Sequence, residues 1–119
     1  MNHTGFFGNG EHTFALSDDM IVELERIAEL GIGALYLRCV NMQFHINDLV
    51  EIIRLGLIGG GATPEMAARL TDTYARNRPI DELYPLAVDI LDARWGGPEE
   101  YTAFANLKSD DTQETLEDA

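Results

Sequence analysis

The segment from Asn47 to Pro64 constrains the fold most, because it combines a helical apolar stripe, a stop signal and the start of another helix. Asn47 is placed to cap a helix. The glycines at 59–61 end that helix, and Thr63 followed by Pro64 is a typical N-cap and first helical position. The apolar residues recur at i, i+3, i+4, i+7 and i+8, which predicts one packed face: Leu49, Ile52, Ile53, Gly56 and Leu57.

Gly56 lies within this apolar face. A glycine there costs about 1 kcal/mol of helix propensity relative to alanine. The close approach of another helix is the simplest explanation for a missing side chain in such a stripe. The segment therefore predicts a packing surface, directed either at the rest of the protein or at a partner.

Other stretches of the chain also have helical spacing. Ser17 is a suitable N-cap, followed by acidic residues in the first turn, and Gly31 is placed as the stop of that helix. Residues 34–40 form a second, almost wholly apolar helix, and further helices follow Thr63 and Pro79. The sequence thus predicts a mainly α protein, a compact bundle of about five short helices.

The two ends of the chain have different compositions. His12 to Leu16 alternates weakly, which allows a short N-terminal β-strand or hairpin, paired with residues 1–8 or with another subunit. The glycine-rich residues 1–11 are predicted to be a flexible leader or an edge element, ahead of a helical domain over residues 12–97. Residues 98–119 are predicted to be a short docking segment and a disordered acidic tail.

Charge narrows the classes of partner. The 119 residues carry a formal net charge of -13 with eight Lys and Arg, which disfavours nucleic acid and anionic membranes as partners. The acidity either maintains solubility or steers the protein toward a basic partner. A single cysteine, no signal-peptide pattern and no apolar run of about 20 residues predict a cytoplasmic protein.

No residue cluster indicates catalysis. The glycine run at 59–61 follows a helix and lacks the lysine of a phosphate-binding loop. The three histidines and Cys39 have no zinc-site spacing, and the paired carboxylates lie on polar helix faces. We therefore predict no enzymatic activity, no metal and no cofactor.

Apolar and aromatic side chains at helix edges are the candidates for partner binding. Each of them either closes the core or contributes to an exposed patch, and an apolar patch of more than a few hundred Å² typically marks a partner site. The predicted partner-binding residues are Leu35, Phe44, Ile53, Gly56, Leu57, Tyr84 and Trp95.

The order of these features resembles a known family. The resemblance covers residues 12–97, and its most specific part is the helix end from Ile53 to Gly61. The other matching features are the strand-like lead at 12–16, Ile21 to Glu25 with Gly31, the apolar helix ending at Val40, Phe44 with Asp48, Pro64-Glu65 and Trp95-Gly96. In these respects the chain resembles the tail assembly chaperones of siphophage-like particles, specifically those of gene transfer agents.

The resemblance implies a function without catalysis. Such a chaperone binds the largely helical tape measure protein and keeps it soluble until tail tube subunits displace it. It implies groove capture of amphipathic helices, contact with tail tube subunits, and self-association into homo-oligomers. The alternative is an acidic regulatory protein that sequesters a basic or DNA-binding partner. Added salt should disrupt that second kind of complex steeply, and groove capture much less.

Overall fold

The computed structural model describes residues 1–96, in which a β-hairpin precedes five helices. This confirms the predicted mainly α class with an N-terminal hairpin. The predicted docking segment and acidic tail at 98–119 lie outside the described residues. The elements are β1 (Asn2–Phe7), β2 (Gly10–Ala15), α1 (Asp18–Ala28), α2 (Ile32–Val40), α3 (Ile46–Gly59), α4 (Pro64–Tyr74) and α5 (Ile80–Gly96).

The hairpin differs from the flexible leader expected for residues 1–11. Strands β1 and β2 pair antiparallel in continuous register, from Asn2 opposite Ala15 to Phe7 opposite Gly10. The two-residue loop begins with Gly8 at φ 63°, as a type II′ turn requires. Phe7 and Phe14 are both buried on the inner face of the hairpin, so core packing orders a segment whose composition alone indicated a loose end.

Helix α3 lies at the centre of the molecule. It contacts β2, α1, α4 and α5, which together surround it. Because four elements pack on one helix, its burial is not confined to the predicted stripe. The buried residues of α3 are Asp48, Leu49, Val50, Ile52, Ile53, Leu55, Gly56 and Leu57.

The helix caps confirm some predictions and correct others. Ser17 Oγ accepts the Met20 N–H at 3.3 Å, and Thr63 Oγ1 accepts the Met66 N–H at 3.1 Å, as expected of N-caps. Asn47 does not cap α3. His45 is the N-cap instead, and its N–H donates to Asp48 Oδ2 at 2.8 Å. Asp48 matches the third helical position of a capping box, where an acidic side chain reaches back to the cap residue.

The connection between α1 and α2 also differs from the prediction. Helix α1 ends at Ala28, and Glu29 adopts the left-handed conformation at φ 55° that a glycine was expected to supply. Gly31 is the N-cap of α2, which begins at Ile32 rather than at Ala34. Glu25 Oε2 accepts the Ile32 N–H at 2.8 Å, so a carboxylate from α1 satisfies the free amide at the start of α2.

The glycines within α3 and at its end are explained by close approach. A β-carbon built on Gly56 would lie 3.3 Å from Ile90 Cγ2 and 3.4 Å from Phe14 Cβ, so both α5 and β2 press against this position. At Gly60 a β-carbon would lie 1.9 Å from the Thr13 carbonyl oxygen. The glycine run therefore does more than end the helix. Because it has no side chains, the backbone of β2 can pack directly against the end of α3.

Candidate functional site

Four of the seven predicted partner-binding residues lie in the core. Leu35, Ile53 and Leu57 expose at most 2% of their surface, and Gly56 is buried between Ile90 and Phe14. In this conformation these four positions are closed off from solvent. Their apolar spacing marks faces that the fold itself covers.

Phe44 and Tyr84 are half-buried and form a pair. Their rings stack with centroids 5.2 Å apart, and the Tyr84 hydroxyl donates to the Cys39 carbonyl oxygen at 3.1 Å. The pair joins the loop before α3 and the end of α2 to α5. These contacts stabilise the fold, and both aromatic side chains stay partly exposed.

Trp95 is the predicted residue that the structure exposes, with 58% of its surface accessible. Its indole stacks on the ring of Tyr36 from α2, with centroids 4.8 Å apart and planes 16° from parallel. The Tyr36 hydroxyl donates to Asp92 Oδ1 at 2.8 Å. Tyr36 thus holds the indole in place, while more than half of the Trp95 surface stays accessible.

An apolar crevice opens beside this stack, with a volume of about 350 Å³. We call it the Trp95 crevice. It lies where the end of β2, the first turn of α1, the start of α2 and the last turns of α5 meet. It is lined by Leu16, Ile21, Ile32, Leu91, Arg94 and Trp95.

Three carboxylates support the residues around the Trp95 crevice. Asp18 bonds Arg94, Glu25 bonds the Ile32 amide, and Asp92 bonds Tyr36, so each carboxylate contacts a residue of the crevice wall or of the stack. Arg94 is the single basic residue among the lining side chains, and it donates to Leu16 O and to Asp18 Oδ1 at 2.9 and 2.7 Å. The lining is therefore apolar apart from Arg94, and the three carboxylates lie behind it, bonded to residues of the wall or of the stack.

The histidines and Cys39 do not form a reactive site. Burial, with a smaller contribution from Asp48, raises the pKa of the Cys39 thiol to about 11, so it stays protonated at neutral pH. His12 Nε2 lies 2.8 Å from Asn9 Oδ1, and His3 lies beside Asp89. Within residues 1–96 no group of three or more potential ligands is placed to hold a metal ion. Over the same residues no helix is long and apolar enough to cross a membrane.

The sequence indicated part of this site. Trp95 was singled out as an aromatic residue at a helix edge, and Leu91 precedes it by one helical turn. Tyr36, Ile32 and Ile21 were missed, because they come from two other helices and no local spacing connects them with Trp95. Aromatic residues at the ends of separate helices are the one signal that could have suggested the stack.

Comparison with known proteins identifies the family. A family model described as "Phage tail tube protein, GTA-gp10" matches residues 1–97, which include both strands and all five helices of the described structure. No curated protein and no solved structure matches the chain. The family is a structural family of phage tails rather than a family of enzymes. The chain therefore belongs to the phage tail protein family of gene transfer agents, GTA-gp10.

Proposed function

We propose that this protein is a tail assembly chaperone that binds the tape measure protein during assembly of a phage-like tail. The Trp95 crevice carries the proposal. It offers an open indole, held by Tyr36, above an apolar cavity of about 350 Å³. A cavity of that size accommodates a few apolar side chains from one face of an amphipathic helix.

The charge of the described domain supports a basic client. Residues 1–96 contain seven arginines, no lysine and fourteen acidic residues. Six of the arginines form ion pairs with carboxylates of the same chain, so little positive charge is left for a partner. A helix with apolar residues on one face would fill the Trp95 crevice, and Lys or Arg along its flanks would meet the acidic surface of the domain.

The proposal is tested by co-expression with the tape measure protein of the same particle. We expect a soluble complex with several copies of this protein per tape measure chain, measured by affinity capture and light scattering. Apolar capture predicts that the complex persists from low to high salt. A tape measure protein that stays insoluble while this protein elutes alone would overturn the proposal. Dissociation at high salt would favour the acidic regulatory protein.

Two variants locate the binding site. Trp95→Ala removes the exposed indole, and we expect at least a tenfold loss of affinity for the tape measure protein. Leu37→Ala is the matched control, because Leu37 is 57% exposed on α2 and does not line the Trp95 crevice. Equal affinity of the two variants would show that the client binds elsewhere.

A tail tube subunit is the second candidate, and the description of the family as a phage tail tube protein favours it. The two functions differ in whether the finished particle contains the protein. A chaperone is displaced during assembly and is absent from finished particles, whereas a tube subunit is present in many copies. Quantitative mass spectrometry of purified particles separates them, since stoichiometric recovery of this chain would support the tube subunit.

A further inference from the structure

Strand β1 has an outer edge whose backbone groups face away from β2. In an antiparallel pair, the residues of a non-hydrogen-bonded pair direct their N–H and C=O groups outward. The carbonyl oxygens of Thr13 and Ala15 point toward Gly60 and Gly59 of α3, which places these residues in such pairs. Asn2 and Thr4, which lie opposite Ala15 and Thr13, therefore direct their backbone N–H and C=O groups to the outer edge of β1. Phe6 does the same, because it lies two residues after Thr4 along the strand.

This outer edge is exposed and unpaired within residues 1–96. Asn2, Thr4 and Phe6 are all exposed, and Phe6 has 74% of its surface accessible. Outside the hairpin ladder, no backbone hydrogen bond to another described element involves these three residues. The corresponding edge of β2 is covered, because the end of α3 packs directly against its carbonyl oxygens.

The edge also lacks the usual protection against strand pairing. Natural edge strands carry lysine, proline or a bulge that prevents pairing with another chain. Strand β1 contains no proline and no Asp, Glu, Lys or Arg, and its register with β2 is continuous. Its one titratable side chain, His3, shares the inner face with Phe14 and lies beside Asp89.

We propose that β1 pairs antiparallel with β1 of a second copy of this chain, which joins two hairpins into a four-stranded sheet. The register is fixed by the three residues whose backbone groups face outward. Thr4 lies opposite Thr4 of the second copy, and Asn2 of each copy lies opposite Phe6 of the other. All outward N–H and C=O groups of these residues then form hydrogen bonds. This arrangement has two-fold symmetry, and it brings no charged side chains of β1 together.

This inference does not rest on the proposed chaperone function. The pairing is self-complementary, which favours a second copy over the strand of another protein. Because each chain carries a net charge of -13, the two copies repel one another beyond the neutral edge. Dimerisation should therefore strengthen as salt screens that repulsion.

Sedimentation velocity of the full chain over a range of concentrations provides the first test. We expect a reversible dimer, and Thr4→Lys should raise its dissociation constant at least tenfold, because two lysines then face each other across the new pair. Thr13→Lys is the matched control, since Thr13 lies opposite Thr4 on the same exposed face but on the covered strand. A native chain that stays monomeric at every concentration and salt, or equal effects of the two variants, would overturn the proposal.

Disulfide trapping tests the register directly. Thr4→Cys should form an intermolecular disulfide under mild oxidation, because the two Thr4 positions face each other, whereas Thr13→Cys should not. The native Cys39 is fully buried and does not compete. Cross-linking of both variants to the same extent would indicate random collision. A Thr4→Cys chain that folds, judged by its Tm, but stays monomeric would contradict the proposed register.

Discussion

Helix α3 and the C-terminal end of α5 both carried predicted partner-binding residues, yet they differ in what covers them. Helix α3 is enclosed by four other elements, and Ile53 has no accessible surface. The end of α5 leaves Trp95 more than half exposed, although its ring is held by Tyr36. Helical spacing selected Ile53, which is fully buried, whereas a position at a helix edge selected Trp95, which is among the exposed large apolar side chains of residues 1–96.

The difference shows what periodicity measures. A regular stripe on one helix identifies a face that some other surface covers, and in a small protein that surface is usually the rest of the chain. An exposed binding surface is assembled from several elements and has no period of its own. The Trp95 crevice takes its lining from β2's end, α1, α2 and α5, which no single-helix pattern connects.

The largest effect is expected at the end of α3. Gly60→Ala places a β-carbon 1.9 Å from the Thr13 carbonyl oxygen, and backbone atoms cannot yield as a side chain can. We expect a loss of about 4 kcal/mol in the free energy of unfolding. Chemical denaturation followed by circular dichroism measures it.

Gly33→Ala is the control for this substitution. Gly33 lies in α2, where a β-carbon meets no atom within 4 Å. Alanine there should stabilise the protein by about 0.5–1 kcal/mol through helix propensity. If Gly60→Ala were equally harmless, β2 would not pack against the end of α3.

Ile53→Ala tests whether the stripe of α3 is core. Ile53 is fully buried, so truncation leaves a cavity that its neighbours fill only in part. We expect a loss of about 3 kcal/mol in the free energy of unfolding. Binding of the tape measure protein to the fraction that remains folded should be unchanged. If the Ile53→Ala variant were stable but no longer bound the tape measure protein, Ile53 would belong to the binding site.

Much of the fold could be predicted from the sequence, because local signals determine it. Ser17, Thr63 with Pro64, and the glycines at 59–61 placed helix ends correctly through backbone chemistry. The start of α3 was misplaced because His45 relies on Asp48, three residues later, rather than on its own residue type. The hairpin was expected from the alternation at 12–16, but residues 1–11 were also expected to be loose, because the order of β1 depends on Phe7 packing against the distant Tyr74.

The candidate site was less predictable than the fold. Trp95 could be identified as an unusual residue, but its exposure depends on where α2 crosses α5, and Tyr36 is separated from it by about half of the chain. The support of the crevice wall and of the stack likewise depends on contacts that Asp18, Glu25 and Asp92 make with other elements. Contacts between distant elements leave no periodic pattern in a single sequence.

A moderate effect is expected at the other end of α3. Arg38 donates two hydrogen bonds to the buried Asp48, at 3.0 and 2.7 Å, while the His45 amide donates a third. Asp48→Asn keeps the shape but removes the charge, and we expect a loss of about 2 kcal/mol in the free energy of unfolding. Asp72→Asn is the control, since its ion pair with Arg76 is exposed and its loss should leave Tm unchanged. Equal Tm values for the two variants would show that the start of α3 does not depend on this pair.

The smallest change in stability is expected at Trp95. The indole is already largely in water, so Trp95→Ala forfeits mainly its stack on Tyr36, worth about 1 kcal/mol. The crevice wall loses little support, because Leu91 is buried independently and Arg94 keeps its bonds to Leu16 and Asp18. Thermal unfolding should therefore shift by only a few degrees while capture of the tape measure protein falls, the reverse of the pattern at Ile53. A loss of about 3 kcal/mol or more, as for a buried aromatic residue, would make Trp95 part of the core and remove the distinction between α3 and the end of α5.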